Sequence, residues 1–107
     1  MLGDKFQDLT GKLENVVYLE LLARGYKVHI GKLYEREIDF IAVRGNDKTY
    51  IQVTYLLTDE TVIEREFSAL ESVPDNYPKL VISMDKHFGN VRNGIKWQNL
   101  IDFLLTS

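Results

Sequence analysis

Residues 36–54 read REIDFIAVRGNDKTYIQVT, and the rest of the chain is organised around them. Two alternating runs flank Arg44-Gly45-Asn46-Asp47-Lys48, a pattern that predicts a β-hairpin turning at Gly45-Asn46. Side chains alternate across a strand, so Ile38, Phe40 and Ala42 are expected on one face and Glu37, Asp39, Ile41 and Val43 on the other. In the second run Tyr50, Gln52 and Thr54 share a face, opposite Ile51, Val53 and Tyr55. Residues paired across an antiparallel ladder point the same way. A register that sets Asp39 opposite Gln52 or Thr54 therefore gathers Glu37, Asp39, Gln52 and Thr54 into one polar patch. That patch is the candidate site.

Working outward, residues 1–10 carry little periodic signal and read as an N-terminal arm, leaving residues 11–107 as the domain. A helix is expected from Thr10 to Arg24, with Thr10 or Asp8 as its N-cap and Gly25 at its end. Its apolar stripe is centred on Leu13, Val17 and Leu21, and Glu14 falls inside that arc. A carboxylate there needs a partner, or belongs to a first turn that reaches water. Tyr26 to Gly31 alternates as a strand with Tyr26, Val28 and Ile30 on its buried face, and Gly31 to Glu35 turns into the hairpin. Thr58 caps a second helix in which Ile63, Phe67 and Leu70 face the sheet and Glu64, Arg65 and Glu66 lie mostly outward. Pro74 to Pro78 is a turn, and Lys79 to Met84 is a strand covered on both sides. Asp85 to Gly94 reads as a mobile loop, followed by a short strand at Ile95–Trp97 and a closing helix at Asn99–Leu105. Helix, three strands, helix and strand in this order predict an α/β fold with a mixed central sheet flanked by helices.

With 107 residues, 45% apolar and 27% charged, the chain has the composition of one ordinary globular domain. No apolar run reaches the roughly 20 residues of a membrane helix, and the N-terminus lacks a signal-peptide pattern, so a cytoplasmic location is expected. The absence of cysteine excludes disulfides, thiolate catalysis and zinc-thiolate sites. His29 and His87 stand far apart, in no metal-ligand spacing. The net charge of −3 is not that of a protein held to nucleic acid by bulk electrostatics, although residues 1–54 hold eight basic and eight acidic side chains against five and eight in residues 55–107. Carboxylates with oxygen donors from Gln52 and Thr54 suit a hard cation such as Mg²⁺, which activates water and offsets charge on a scissile phosphate.

Helix-borne Glu14, mid-strand Asp39 and the triplet Gln52-Val53-Thr54 resemble the PD-(D/E)xK nuclease superfamily. More narrowly, GKLENVVYLELLARGYKVHIGKL, REIDFIAV, YIQVTYLL, EREF and NYPKLVISMD look like the domain of unknown function at the C-terminus of bacterial and archaeal AAA-type ATPases. The resemblance implies a restriction-endonuclease-like α-β-β-β-α-β core, with Glu14, Asp39 and Gln52 holding Mg²⁺ or Mn²⁺ and DNA as the substrate. It also implies an ATPase module upstream, while homo-oligomerisation stays open. The superfamily's water-orienting Lys falls at Thr54, which cannot carry its charge. Lys48, six residues away, is about 20 Å distant along a strand, leaving Lys12 and Arg65 as the cations that helices could bring in. The expectation is therefore a degenerate, non-catalytic binding or regulatory module, with a metal-dependent DNA endonuclease as the alternative. No ATP site is expected here, because the glycine that GxxxxGK needs five residues before Gly11 is Phe6.

Overall fold

The hairpin is the antiparallel half of a five-stranded sheet whose spatial order, β1-β2-β3-β4-β5, is the order of the chain. The elements are α1 (Leu2–Ala23), β1 (Lys27–Leu33), β2 (Arg36–Arg44), β3 (Asp47–Val53), α2 (Glu60–Glu71), β4 (Lys79–Ser83), β5 (Lys96–Asn99) and α3 (Leu100–Leu105). β1, β2 and β3 pair antiparallel, whereas β4 and β5 continue the sheet in parallel with β3. This computed structural model describes residues 2–33, 36–57, 60–86 and 92–106. The protein is thus α/β with a mixed sheet flanked by helices. Among the described residues no helix is long and apolar enough to cross a membrane.

Each face of the sheet has its own core. Val17 and Leu21 of α1, with Leu100 and Phe103 of α3, cover Phe40, Ala42, Ile51, Val53 and Ile82. Phe67, Ala69 and Leu70 of α2 cover Ile38, Tyr50, Val81 and Ile95 on the other side. β4 sends Ile82 to one core and Val81 to the other, which is why its sequence is continuously apolar. At the strand ends Asp85 ties the crossovers together. Its Oδ2 accepts from Leu57 N at 2.8 Å and Ser83 Oγ at 2.7 Å, and Asn99 Nδ2 donates to its backbone oxygen. Trp97 Nε1 donates to the same Ser83 hydroxyl while its ring stands edge-on to Phe67.

Several expectations are corrected. The helix starts at Leu2, so the residues read as an N-terminal arm form its first turns. Extending a helix already nucleated downstream adds a hydrogen bond for each residue fixed, and no proline stops it. Thr10 is consequently not a cap; its Oγ1 accepts from Tyr55 N at 3.0 Å and ties α1 to the end of β3. The helix does end as expected. Gly25 takes φ 88°, with Gly25 N donating to Leu22 O and Tyr26 N to Leu21 O, a Schellman motif. Ile30, expected on the buried face of β1, is 81% exposed. The Thr58 cap, His87, residues 34–35 of the first turn and residues 87–91 of the expected loop lie outside the described residues.

The largest correction concerns the hairpin. Its turn and register follow expectation, with Arg44 opposite Asp47, Phe40 opposite Ile51, and Gly45 at φ 61° as the first central residue. Strict alternation fails, however, because Ile38 and Phe40 lie in opposite cores. Against β1 the pairing runs from His29–Ile41 to Gly31–Ile38, so Asp39 and Phe40 together oppose Ile30. That is a β-bulge, and one extra residue reverses the facing of everything before it.

Candidate functional site

Asp39 is one of the two bulge residues that oppose Ile30, and it lies on the side of the sheet that α2 covers. The ladder's Cα pairing stops at Phe40–Ile51. One step further, two side-chain bonds replace it. Asp39 N donates to Gln52 Oε1 at 2.7 Å, and Asp39 Oδ2 accepts from Val53 N at 2.8 Å. The expected pairing of Asp39 with Gln52 is present, and both side chains stitch the strands together.

A cleft of about 370 Å³ opens here between the sheet and α2, lined by Glu37, Asp39, Gln52, Arg65, Glu66 and Ala69. Gln52 is 5% exposed and Glu66 9%. The reading that put Glu66 outward is therefore corrected. At about 100° per residue it lies only some 60° from Ile63 and 40° from Leu70, inside the arc that packs on the sheet. This wheel position was the signal that could have found it. Arg65, on the neighbouring rim, sets its Nε 3.5 Å from Glu66 Oε1, so one of the two helix-borne cations considered does reach the site. Lys12, the other, is exposed on α1, and Lys48 lies over the rings of Tyr50 and Tyr77.

Electrostatics bind these groups into one unit. Burial raises the Glu66 carboxyl to about 7, helped by the charges of Asp39 and Glu14 and opposed by Arg65. Burial also raises Asp39, against the pull of the Val53 N–H, with Glu37 adding to the rise and Arg65 offsetting it. Glu14 is raised by burial and then by Asp39. Glu14 opens onto a neighbouring groove of about 670 Å³ between α1 and β1, shared with Tyr18, His29, Ile30 and Phe40. The structure thus brings Asp39 and Gln52 into direct contact and puts Glu14 within electrostatic reach of Asp39. Thr54, just past the end of β3, is buried, its N–H donates to Ile82 O, and it does not line the cleft.

Among the described residues, no three His, Cys, Asp or Glu side chains come together as a metal-binding group. Gln52 Oε1 is occupied by a backbone N–H, as is one oxygen of Asp39. The donor set implied by the resemblance does not fit a closed divalent-cation centre.

No family model matches the chain. A protein of Haemophilus influenzae described as an "Uncharacterized protein" is 36% identical over 104 residues, covering 97% of this chain. The chain spans 25% of the length of that relative.

Proposed function

We propose that the chain is a nuclease-like domain with a degenerate site, acting as a non-catalytic binding or regulatory module alongside an AAA-type ATPase in the cytoplasm. The observation that carries this reading is the mutual engagement of Asp39 and Gln52, whose oxygens hold backbone N–H groups at 2.7 and 2.8 Å. Atoms that a metal-dependent nuclease would turn toward a cation are spent on joining β2 to β3. The position implied for a water-orienting Lys is Thr54, which is buried and carries no charge. Arg65 supplies a cation at the cleft, but its nearest carboxylate is Glu66 rather than a free catalytic position. That the matching segment makes up a quarter of a longer relative supports work as one module among others. The net charge of −3 argues against a partner held by phosphate contacts alone.

One observation favours the alternative, a Mg²⁺- or Mn²⁺-dependent DNA endonuclease. The Glu14 carboxyl is raised by burial and, after that, by the nearby charge of Asp39, which places the two acids within electrostatic reach of one another. Calorimetric titration with Mg²⁺ and Mn²⁺, paired with cleavage assays on linear, nicked and branched DNA, separates the two. The expected result is no saturable metal binding and no cleavage, in the parent protein and in Asp39→Ala alike. Metal uptake or cleavage that disappears in Asp39→Ala would overturn the module reading.

A further inference from the structure

The turn end of the hairpin carries a pattern that the Asp39 cleft does not use. Each of the five strands has a basic residue at this end of the sheet: Lys27 starts β1, Arg44 ends β2, Lys48 is second in β3, Lys79 starts β4 and Lys96 starts β5. Register aligns the first of them. Lys27 lies opposite Val43, which on its other side lies opposite Lys48, so the two lysines share a face about 10 Å apart, at two strand spacings. Aromatic rings alternate with the cations. Lys48 Nζ stands 5.2 Å from the Tyr50 ring centre and 5.4 Å from that of Tyr77, and the Arg44 guanidinium lies 4.4 Å from the Tyr26 ring centre. Elsewhere cations are spent on carboxylates, Arg24 on Glu20 and Arg92 on Glu64 and Glu71. Lys27, Arg44, Lys48 and Lys96 form no ion pair among the described residues.

The row leads to a pocket of about 710 Å³ between the end of α2 and the starts of β4 and β5. Buried Val73 and Ile95 line it beneath Asn76, Lys96 and Tyr77, whose side chain is 43% exposed. Two carboxylates also line it, and both are compensated. Glu71 accepts from Arg92 and Asn93, and Asp75 accepts from Tyr50 Oη with Lys79 Nζ 3.7 Å away. Unpaired cations across the sheet, leading to an exposed ring over an apolar floor, match a chain that is anionic along its length and carries flat bases. A lipid headgroup layer has the charge without the rings. A duplex keeps its bases stacked on one another, out of the pocket's reach. We propose that this end of the sheet binds single-stranded nucleic acid, its phosphates passing Lys27 and Lys48 and one base entering the pocket against Tyr77, with Lys96 beside the next phosphate. The net charge of −3 is compatible with this, since Glu37, Asp39 and Glu66 gather at the open end of the hairpin. The surface is separate from the Asp39 cleft and needs no metal. This inference rests on the binding-module reading and names the chemistry of the partner.

The test uses the full chain and fluorescence anisotropy of a labelled oligothymidine of about twelve nucleotides, in EDTA. Saturable binding is expected, with log K falling against log salt at a slope of about −2, the counterion release of about three phosphates. Lys27→Glu combined with Lys48→Glu is expected to weaken binding at least tenfold, and the milder pair Lys27→Gln with Lys48→Gln to flatten the slope while the protein still unfolds cooperatively. Tyr77→Ala is expected to weaken binding at least fivefold with the slope unchanged, because stacking releases no counterions, and Tyr77→Phe to bind as the parent does. No saturable binding, binding unaltered in both lysine pairs, equal affinity for a duplex of the same length, equal competition by polyglutamate or phosphatidylserine vesicles, or binding that appears only with Mg²⁺ overturns the proposal. Asp39-dependent DNA cleavage would instead sink the module reading itself, whereas absent oligonucleotide binding without cleavage removes only this inference.

Discussion

The two ends of the β2–β3 hairpin are built from the same alternating sequence and behave differently. At the turn end, residues 40–44 of β2 pair regularly with residues 47–51 of β3, and Ala42 and Ile51 go into a dry core. At the open end one extra residue in β2 bends the ladder, and Asp39 and Gln52 replace two backbone partners with side-chain oxygens. The turn end is held by apolar burial, which is indifferent to pH. The open end is held by polar groups crowded against Glu66, Glu37 and Glu14, which is not. A polar cleft inside a small α/β domain therefore need not be a separate structure; here it is a local fault in an otherwise regular strand pair.

Substitutions at the two ends should separate them. Ile51→Ala, at a side chain 1% exposed, is expected to cost about 3 kcal/mol in urea unfolding, equally at pH 5 and pH 8. Loss of more than about 1 kcal/mol of that difference between the two pH values would mean that the turn end shares the electrostatics of the cleft. Glu66→Gln should do the opposite and stabilise. The folded carboxyl keeps its proton up to about 7 while the unfolded one releases it near 4.5, so the native state binds more protons in that window. Stability therefore falls as pH rises from 4.5 to 7, and Glu14 and Asp39, also raised, add to the same slope. Removing Glu66 should recover roughly 2–3 kcal/mol at pH 8 and little at pH 4. A parent protein more stable at pH 8 than at pH 5.5 would contradict this.

Gly31→Ala tests the bulge itself. A Cβ there would lie 2.6 Å from Ile41 Cδ1 and 3.1 Å from Ile38 Cβ, two side chains that share a face only because of the extra residue. A loss of about 1–2 kcal/mol is expected, and a neutral result would argue that the strand alternates regularly. The smallest effect concerns Asp39→Asn, which keeps an oxygen for Val53 N. NMR titration should find the Glu66 carboxyl moved downward, because the neighbouring charge that helps to raise it is gone.

Much of this architecture was legible in the sequence because it rests on local chemistry. The Gly45-Asn46 turn, the Gly25 helix end, the two-sided burial of β4 and the Asn99 start of α3 each follow from a few adjacent residues. In α3 the Asn99 side chain accepts from the backbone N–H groups of Ile101 and Asp102. The bulge was not legible. Ile38 and Phe40 are both apolar, and nothing in their order says which core each one fills. Glu66 was half-legible, since its helical angle put it inward while its charge suggested outward, and the sheet's own polar residues decided the matter. Of the candidate site, the Asp39–Gln52 pairing followed from register, but its use in joining strands depends on the ladder ending at Phe40.

Because strand order equals chain order, the sheet is one whose every addition extends the edge just completed. No strand has to be threaded between two that already pair. One fastening breaks that pattern. Arg24, held by Glu20, donates to Phe103 O at 2.6 Å and Thr106 O at 2.5 Å, and its guanidinium lies 4.5 Å from the Phe103 ring centre, across a sequence separation of 79 to 82 residues. Assembly by successive strands puts this clasp last to close and first to open, so amides of α3 should exchange with solvent at a lower opening free energy than those of β2 and β3.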